Sequence, residues 1–364
     1  MIIEGMRLKD FRNYENLDIT FSDGINIFYG DNAQGKTNLL EAVFLAATTK
    51  SQRGSKEREM IRLGCEEAHI RLYMTRQNTG HKIDMHLKKN NPKGAAIDGI
   101  RIKKSTELYG MLHVISFSPE DLQVIKMGPS ERRRFMDMEL CQLDRIYTSN
   151  LQSYNRALFQ RNNLLRQLSF DKSLEGTLEI WNEQLAGFGR EIINTRKRFI
   201  EEISGILEKK HEGISGGKEK LEIKYLPNVT PENFKEKLSE NVEREIAMKQ
   251  TLFGPHKDDL GFFINGDAVR IYGSQGQQRS VALSLKLAEI ELVKGKINDK
   301  PVLLLDDVLS ELDRKRSLSL FKEIQDVQTF ITCTGLEEFI EKERESKKVF
   351  HVTNGTIDSA NNGQ

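Results

Sequence analysis

Cysteine is scarce in this sequence: Cys65, Cys141 and Cys333 are the only three among 364 residues, odd in number and far apart. That argues against a disulfide framework or a cysteine-built zinc site. Long apolar runs are missing as well. No stretch approaches the roughly 18 residues a membrane-spanning helix requires, so an integral membrane protein is not expected. Net charge nearly cancels, with 55 Lys and Arg set against 54 Asp and Glu. This balance neither indicates nor excludes a nucleic-acid partner, because charge acts locally. Met1–Arg7 lacks the basic-then-apolar layout of a secretory signal, and a cytoplasmic address is expected. Internal repeats and low-complexity tracts are absent too. What is present is a globular composition, 38% hydrophobic and 30% charged, long enough for two domains or one with a large insertion.

Hydrophobic periodicity divides the chain into three. Over the first 117 residues, Met6 and Leu8, then Leu17, Ile19 and Phe21, alternate at the strand period. Similar runs lie at Ile70–Met74, Ile83–Leu87 and Ile97–Ile102, and the last holds Asp98-Gly99, a favoured two-residue hairpin turn. Ile25–Tyr29 is apolar and ends at Gly30, after which Leu39, Leu40, Val43, Phe44 and Ala47 recur at helical spacing. Leu112–Phe117 reads as a buried strand. From Ser118 to Lys249 the period is helical. Tyr147, Leu151, Tyr154, Leu158, Leu165 and Leu168 mark one helix, interrupted by Arg161 at an expected apolar position. Leu174, Leu178, Trp181, Leu185, Phe188 and Ile192 mark a second, folded back on the first. Counted from Leu174 to Lys210, it spans roughly 55 Å. Strand and helix alternate again afterwards: Val302–Leu305 suits the centre of a parallel sheet, and Gln328–Thr332 and Lys348–Val352 follow. A disordered tail is expected after Asp358. The expected fold class is α/β, a discontinuous head of residues 1–117 and 250–364 split by a helical insertion, 118–249, that contains a short antiparallel helical hairpin.

The strongest chemical signal is the run Gly30, Asp31, Asn32, Ala33, Gln34, Gly35, Lys36 and Thr37, a complete phosphate loop between a strand and a helix. Its glycines let successive backbone N–H groups curl around a triphosphate at the positive end of a helix. Lys36 is placed to reach the β- and γ-phosphates of ATP, and the Thr37 hydroxyl to ligate Mg2+. Asp306, closing the apolar strand, is the expected second magnesium ligand. Asp307 follows, placed to orient or deprotonate the attacking water. Enzymes of this type mostly carry Glu there; the shorter Asp predicts slow hydrolysis. A third element, Ser274-Gln275-Gly276-Gln277-Gln278-Arg279, opens a long apolar helix. Ser274 and Gly276 could donate hydrogen bonds to a γ-phosphate, although an ordinary N-cap serine explains the pattern as well. From Lys82 to Lys104 the basic residues Lys82, Lys88, Lys89, Lys93, Arg101, Lys103 and Lys104 face only Asp84 and Asp98, which suits non-sequence-specific DNA contact from one hairpin ribbon. Arg132-Arg133-Arg134, close to Asp137, is a second basic candidate, with internal pairing as the competing reading. Few aromatics interleave these stretches, so a base-stacking platform is not expected.

The order of these pieces resembles the ABC-ATPase heads of the SMC/Rad50 group, and the RecF family most closely. The resemblance is carried by Leu8–Tyr14, Gly30–Thr37, Phe117–Leu122, Gly128–Asp137, Gly254–Asp259, Ser274–Arg279 and Leu304–Asp313, which run in family order over nearly the whole chain. It implies a head-to-tail homodimer driven by ATP, each nucleotide lying on one phosphate loop and covered by the partner copy's Ser274, Gly276 and Asp313. Arg12 and Asn13 match residues that approach the nucleotide. A glutamine after the strand entering the insertion is expected to ligate magnesium; Gln123 is the nearest, with Glu120 and Asp121 as alternatives. The switch histidine of such heads is missing from Thr329–Thr334, leaving Thr334 in its place. His256 is expected to be structural. The implied function is binding of single-strand/duplex DNA junctions in recombinational and replication-gap repair within the SOS response to DNA damage, helping RecO and RecR to load RecA, with weak DNA-dependent ATPase activity. A transporter nucleotide-binding subunit and a nucleotide-gated scaffold without hydrolysis are the alternatives.

Overall fold

The computed structural model describes residues 1–335 and 347–359. The chain forms two compact units, one of Met1–Leu122 with the segment from Leu285 onward, the other of Gln123–Ser284.

The first unit holds two six-stranded sheets. In one, the strands run in the order Thr356–Ser359, Lys347–Thr353, Ile25–Tyr29, Thr329–Cys333, Val302–Asp306, Val114–Phe117. Every neighbouring pair is parallel except the outermost, where Thr356–Ser359 folds back on Lys347–Thr353. Central strands of such a sheet are covered on both faces, which is why Val302–Asp306 and Thr329–Cys333 are buried at every position. The other sheet is antiparallel throughout, in the order Tyr14–Thr20, Ile2–Phe11, Glu67–Arg76, Thr79–Lys88, Gly94–Ile97, Ile100–Arg101. Between the two sheets lies helix Lys36–Thr48, which contacts strands of both. A helix wrapped on all sides has no polar face, and this one buries every residue from Leu39 to Thr48. Asp98 and Gly99 both take positive φ, 53° and 83°, as the expected two-residue turn requires. The seven basic residues thus belong to the last strands of a six-stranded sheet and the loops beside them, not to a free-standing ribbon. Ser359 still pairs with Phe350; the rest of the expected tail, residues 360–364, lies outside the described residues.

The second unit contains the helical hairpin, Arg145–Leu168 against Leu178–Ser215, with a 3-10 turn at Lys172–Thr177 where the second helix was expected to begin. It also contains a three-stranded antiparallel sheet that overturns the expected boundary at residue 249. There Asp259–Ile264 pairs with Leu221–Leu226 from Asp259↔Leu226 to Ile264↔Leu221, and with Asp267–Ala268 on its other side. This ladder ties residues after 250 to the insertion.

Polar groups are built into this unit's core. Arg161, the interruption in the apolar series, is 0% exposed; it donates to Asn182 Oδ1 at 2.8 Å and Thr251 Oγ1 at 2.9 Å, and lies 2.7 Å from Glu245, also 0% exposed. Arg196 joins Asp258 at 2.9 Å and Asp137 at 2.7 Å. Arg132 grips Asp259 through two hydrogen bonds of 2.5 and 2.9 Å, and Arg133 donates to the Asp258 carbonyl at 2.8 Å. The internal reading of the arginine run therefore holds for these two.

His256 is enclosed in the same core. Its Nε2–H donates to the Thr251 carbonyl at 3.1 Å, and its Nδ1 lies 2.6 Å from the Tyr154 hydroxyl, from which the neutral ring accepts. Burial drives its pKa down to about 4. The unfolded chain binds this proton near the ordinary histidine value, so the stabilisation is complete above about pH 6.5 and is lost as pH falls toward 4. Stability should drop by ~2 kcal/mol between about pH 7.5 and about pH 5 from this group alone. Urea titrations of wild type and His256→Gln across that range check it: the wild-type slope should exceed the variant's.

Candidate nucleotide-binding site

The phosphate loop joins the buried strand Ile25–Tyr29 to helix Lys36–Thr48. Its backbone takes positive φ at Gly30 (148°), Ala33 (64°) and Gly35 (116°), so the chain coils on itself and its amides can converge. Two of these positions are also sterically closed. A Cβ on Gly30 would sit 2.4 Å from the Val352 carbonyl oxygen, and one on Gly35 would sit 2.5 Å from Asn13 Nδ2. Asp31, Asn32 and Ala33 are exposed at the tip.

Lys36 is buried and folds over its own loop, donating to the Gly30 carbonyl at 2.5 Å and the Asp31 carbonyl at 2.7 Å. These weak neutral acceptors can be exchanged for phosphate oxygens with no change of backbone. Thr37 donates to Asp306 Oδ1 at 2.8 Å, and Thr332 donates to the same oxygen at 2.7 Å. Burial pushes the Asp306 carboxyl above the ordinary range, opposed by the Thr332 and Thr37 hydrogen bonds and by Arg53, and reinforced by Glu120. A buried carboxylate in that state gains by meeting a cation. Hydroxyl and carboxylate oxygens are the donors magnesium takes, so Thr37 and Asp306 fit that ion. Asp307 sits at φ 54°, in a region an L-residue enters at some cost, with its N–H donating to Thr332 Oγ1 at 3.0 Å.

Other expected residues surround this centre in different roles. Asn13 braces the loop, donating to the Gln34 carbonyl at 2.8 Å and accepting from Asn38 at 2.9 Å. Arg12 is held by the buried Glu41 at 2.9 and 3.0 Å, by Ser55 at 2.7 Å and by the Glu59 carbonyl at 2.8 Å. Of the acids offered as alternatives to Gln123, Glu120 is the one whose charge acts on Asp306, whereas Asp121 accepts from the Ser118 amide at 2.7 Å and pairs with Lys286 at 3.0 Å. Gln123 is exposed and opens the second unit. Thr334 is exposed just past strand Thr329–Cys333, and the strand residue that meets the acidic pair is Thr332. Asp313 is an exposed N-cap that accepts from the Arg316 amide at 2.9 Å.

Three supports escaped sequence reading. The Tyr14 hydroxyl donates to the Gly35 carbonyl at 3.1 Å. The amides of Asn354 and Gly355 donate to the side chain and the carbonyl of Gln34, at 2.6 and 3.0 Å. Asn-Gly is itself a hairpin signal, but nothing local shows where its amides end.

In the second unit, Ser274 stands before helix Gln275–Ile297. Its amide donates to Gln277 Oε1 at 2.9 Å while its Oγ accepts from the Gln277 amide at 3.2 Å, a reciprocal cap. Gln277 also donates to Glu219 at 2.9 Å, and the other Glu219 oxygen lies 3.0 Å from the buried His211. The Ser274 turn is thus fastened to the interior of its own unit. Ser274 remains exposed, next to Ile271 and Tyr272, which are 70% and 72% exposed.

The family model described as RecF/RecN/SMC N terminal domain matches residues 2–358. The chain is 58% identical over 358 residues to the DNA replication and repair protein RecF of Lachnoclostridium phytofermentans, covering 98% of this chain and 99% of that protein. It is 54% identical over 363 residues to the RecF protein of Lachnospira eligens, covering 99% and 100%. A solved structure of the recombination mediator protein RecF-ATP in the RecFOR pathway superposes with a TM-score of 0.92 at 36% identity, over 98% of this chain and 97% of that one. An Smc head bound to the C-winged helix domain of ScpA, at 18% identity and a TM-score of 0.58, shares the fold. The chain belongs to the RecF family, a branch of the ABC-type ATPases that also include the SMC heads.

Proposed function

We propose that this chain is an ATP-dependent DNA-binding protein of recombinational and replication-gap repair, acting with RecO and RecR in the cytoplasm to load RecA. The observation that carries the reading is the connected cluster Lys36, Thr37, Asp306 and Thr332 under a loop with convergent amides. ATP would supply the bond that is cleaved, and Thr37 and Asp306 would hold Mg2+, whose charge would offset that of the phosphates. Lys36 would turn from the Gly30 and Asp31 carbonyls to the β- and γ-phosphates. Asp307 would orient the attacking water and accept its proton, slowly, because its short side chain is anchored in a strained backbone.

The covering elements are assigned to a second copy in a head-to-tail dimer: Ser274, Gly276 and Asp313. The exposure of Ser274, Asp313, Ile271 and Tyr272 supports this, since large apolar side chains beside a polar contact suit a surface that is covered on association. Family membership removes the ground for the transporter-subunit alternative.

DNA is assigned to the outer face of the antiparallel sheet. A groove of about 1410 Å³ there is lined by Arg7, Lys9, Arg71, Lys88, Lys93 and Arg101, with Asp18 and Asp84 as its acids. Three of the seven basic residues expected from sequence line it. Lys82, Lys89, Lys103 and Lys104 do not, and Lys89 is paired with Glu66 at 2.9 Å. Fluorescence anisotropy with a labelled gapped duplex tests the assignment. Binding should be tighter with ATP than with ADP, and should weaken with salt by about 0.9 in log–log slope per phosphate contact. The triple variant Lys88→Glu, Lys93→Glu, Arg101→Glu should bind more weakly and flatten that slope by about 3. An unchanged slope would place DNA elsewhere.

A further inference from the structure

Outside the nucleotide site, on the sheet face assigned to DNA, three side chains converge in an arrangement that phosphate contact does not call for, and two of them, His69 and His86, line the groove itself. Strands Glu67–Arg76 and Thr79–Lys88 pair in a register that sets His69 opposite His86. Their rings stack with centroids 4.0 Å apart and planes 22° from parallel. Glu67 lies two residues before His69 and therefore on the same face. One of its oxygens is 2.9 Å from His86 Nε2 and the other is 3.5 Å from His69 Nε2. Both imidazoles thus turn the same nitrogen toward one carboxylate, and the ligand atoms of all three residues fall within 4.8 Å of one another.

We propose that Glu67, His69 and His86 form a surface site for one borderline transition-metal dication, Zn2+ foremost, held by two imidazole nitrogens and a carboxylate. Bonds of about 2.0 Å at tetrahedral angles place ligand atoms ~3.3 Å apart, and the two nitrogen–oxygen separations, 2.9 and 3.5 Å, bracket that value. Three protein ligands leave a fourth position open to water, the arrangement of zinc sites that keep an exchangeable ligand. Imidazole suits zinc, nickel and copper and serves magnesium poorly, so the site separates these ions from the one assigned to Thr37 and Asp306. The register of a paired sheet fixes the two histidine backbones, so binding requires only side-chain rotation.

Calorimetric titration of the full chain with ZnCl2, without nucleotide and with excess Mg2+, tests the site, with Co2+ absorption as a second readout. We expect one tight Zn2+ per chain and visible Co2+ bands of a site with fewer than six ligands. His69→Asn and His86→Asn should each weaken Zn2+ at least about 10-fold, the lower bound for losing even an outer-shell partner, and abolish the Co2+ bands. Circular dichroism identifies variants that are folded as wild type; for one that is not, Glu67→Gln takes its place with the same expectation. Zn2+ binding that is unchanged in the folded variants, or no one-to-one binding by wild type, would overturn the assignment.

Discussion

Lys36→Ala is expected to abolish measurable ATP binding at substrate concentrations that saturate wild type, and to lower turnover by at least about 100-fold, the usual loss when one donor to developing charge is removed. The reason is local. Lys36 is buried at the base of the loop, and its ammonium rests on two carbonyls that a phosphate would outcompete. Alanine leaves the loop backbone intact, because its curvature is set by Gly30, Ala33 and Gly35 and braced by Asn13, Tyr14 and Asn354. The variant should therefore fold and melt as wild type. Asp307→Ala supplies the contrast. It should keep ATP binding, lose turnover and hold gapped DNA longer, as expected if hydrolysis releases the closed dimer proposed above. Fluorescent-nucleotide titration, phosphate release and DNA dissociation separate these outcomes. Unchanged DNA residence in Asp307→Ala would favour a scaffold that does not depend on hydrolysis.

The largest stability effect is expected at Arg161. Substitution by Met should cost about 3–5 kcal/mol, because Glu245 would be left charged and enclosed without its cation. That is a large fraction of the stability of an ordinary domain. Adding Glu245→Leu should restore much of the loss, since the double variant buries no unpaired charge. Recovery should stop short of complete: Glu245 also accepts the Leu252 amide at 2.7 Å, and Arg161 also serves Asn182 and Thr251. Urea unfolding of the two single variants and the double variant measures this coupling. A single variant within about 1 kcal/mol of wild type would show that the pair is solvated in solution.

The difference between these two residues shows what the sequence reveals and what it hides. Lys36 was legible because phosphate-loop chemistry is written in contiguous residues, and the apolar strand ending at Asp306 was legible because a central parallel strand admits no polar alternation. Arg161 could be read only as a break in a helical pattern; its partners come from Asn182, Glu245 and Thr251, and only tertiary packing brings them together. The boundary at 249 failed for a similar reason, since short strands signal weakly and pairing across distant segments decides which unit owns them. Alternation sets Lys82 and Lys88 on one face of Thr79–Lys88, and position along the strand leaves only Lys88 of the two at the groove, beside Lys93 and Arg101. Thr332 rather than Thr334 touches the acidic pair because the last buried register of its strand ends level with Asp306.

The central claim is that each nucleotide is shared by two copies, and light scattering of wild type and Ser274→Arg with Mg2+, with and without ATP and gapped DNA, tests it most directly. Both proteins should bind nucleotide, because Ser274 would contribute to a different copy's site and its turn is fastened within its own unit by Gln277 and Glu219. Only wild type should shift from monomer to dimer mass when ATP is added. A wild type that stays monomeric with ATP and DNA, or a Ser274→Arg variant that dimerises as readily, would contradict the account.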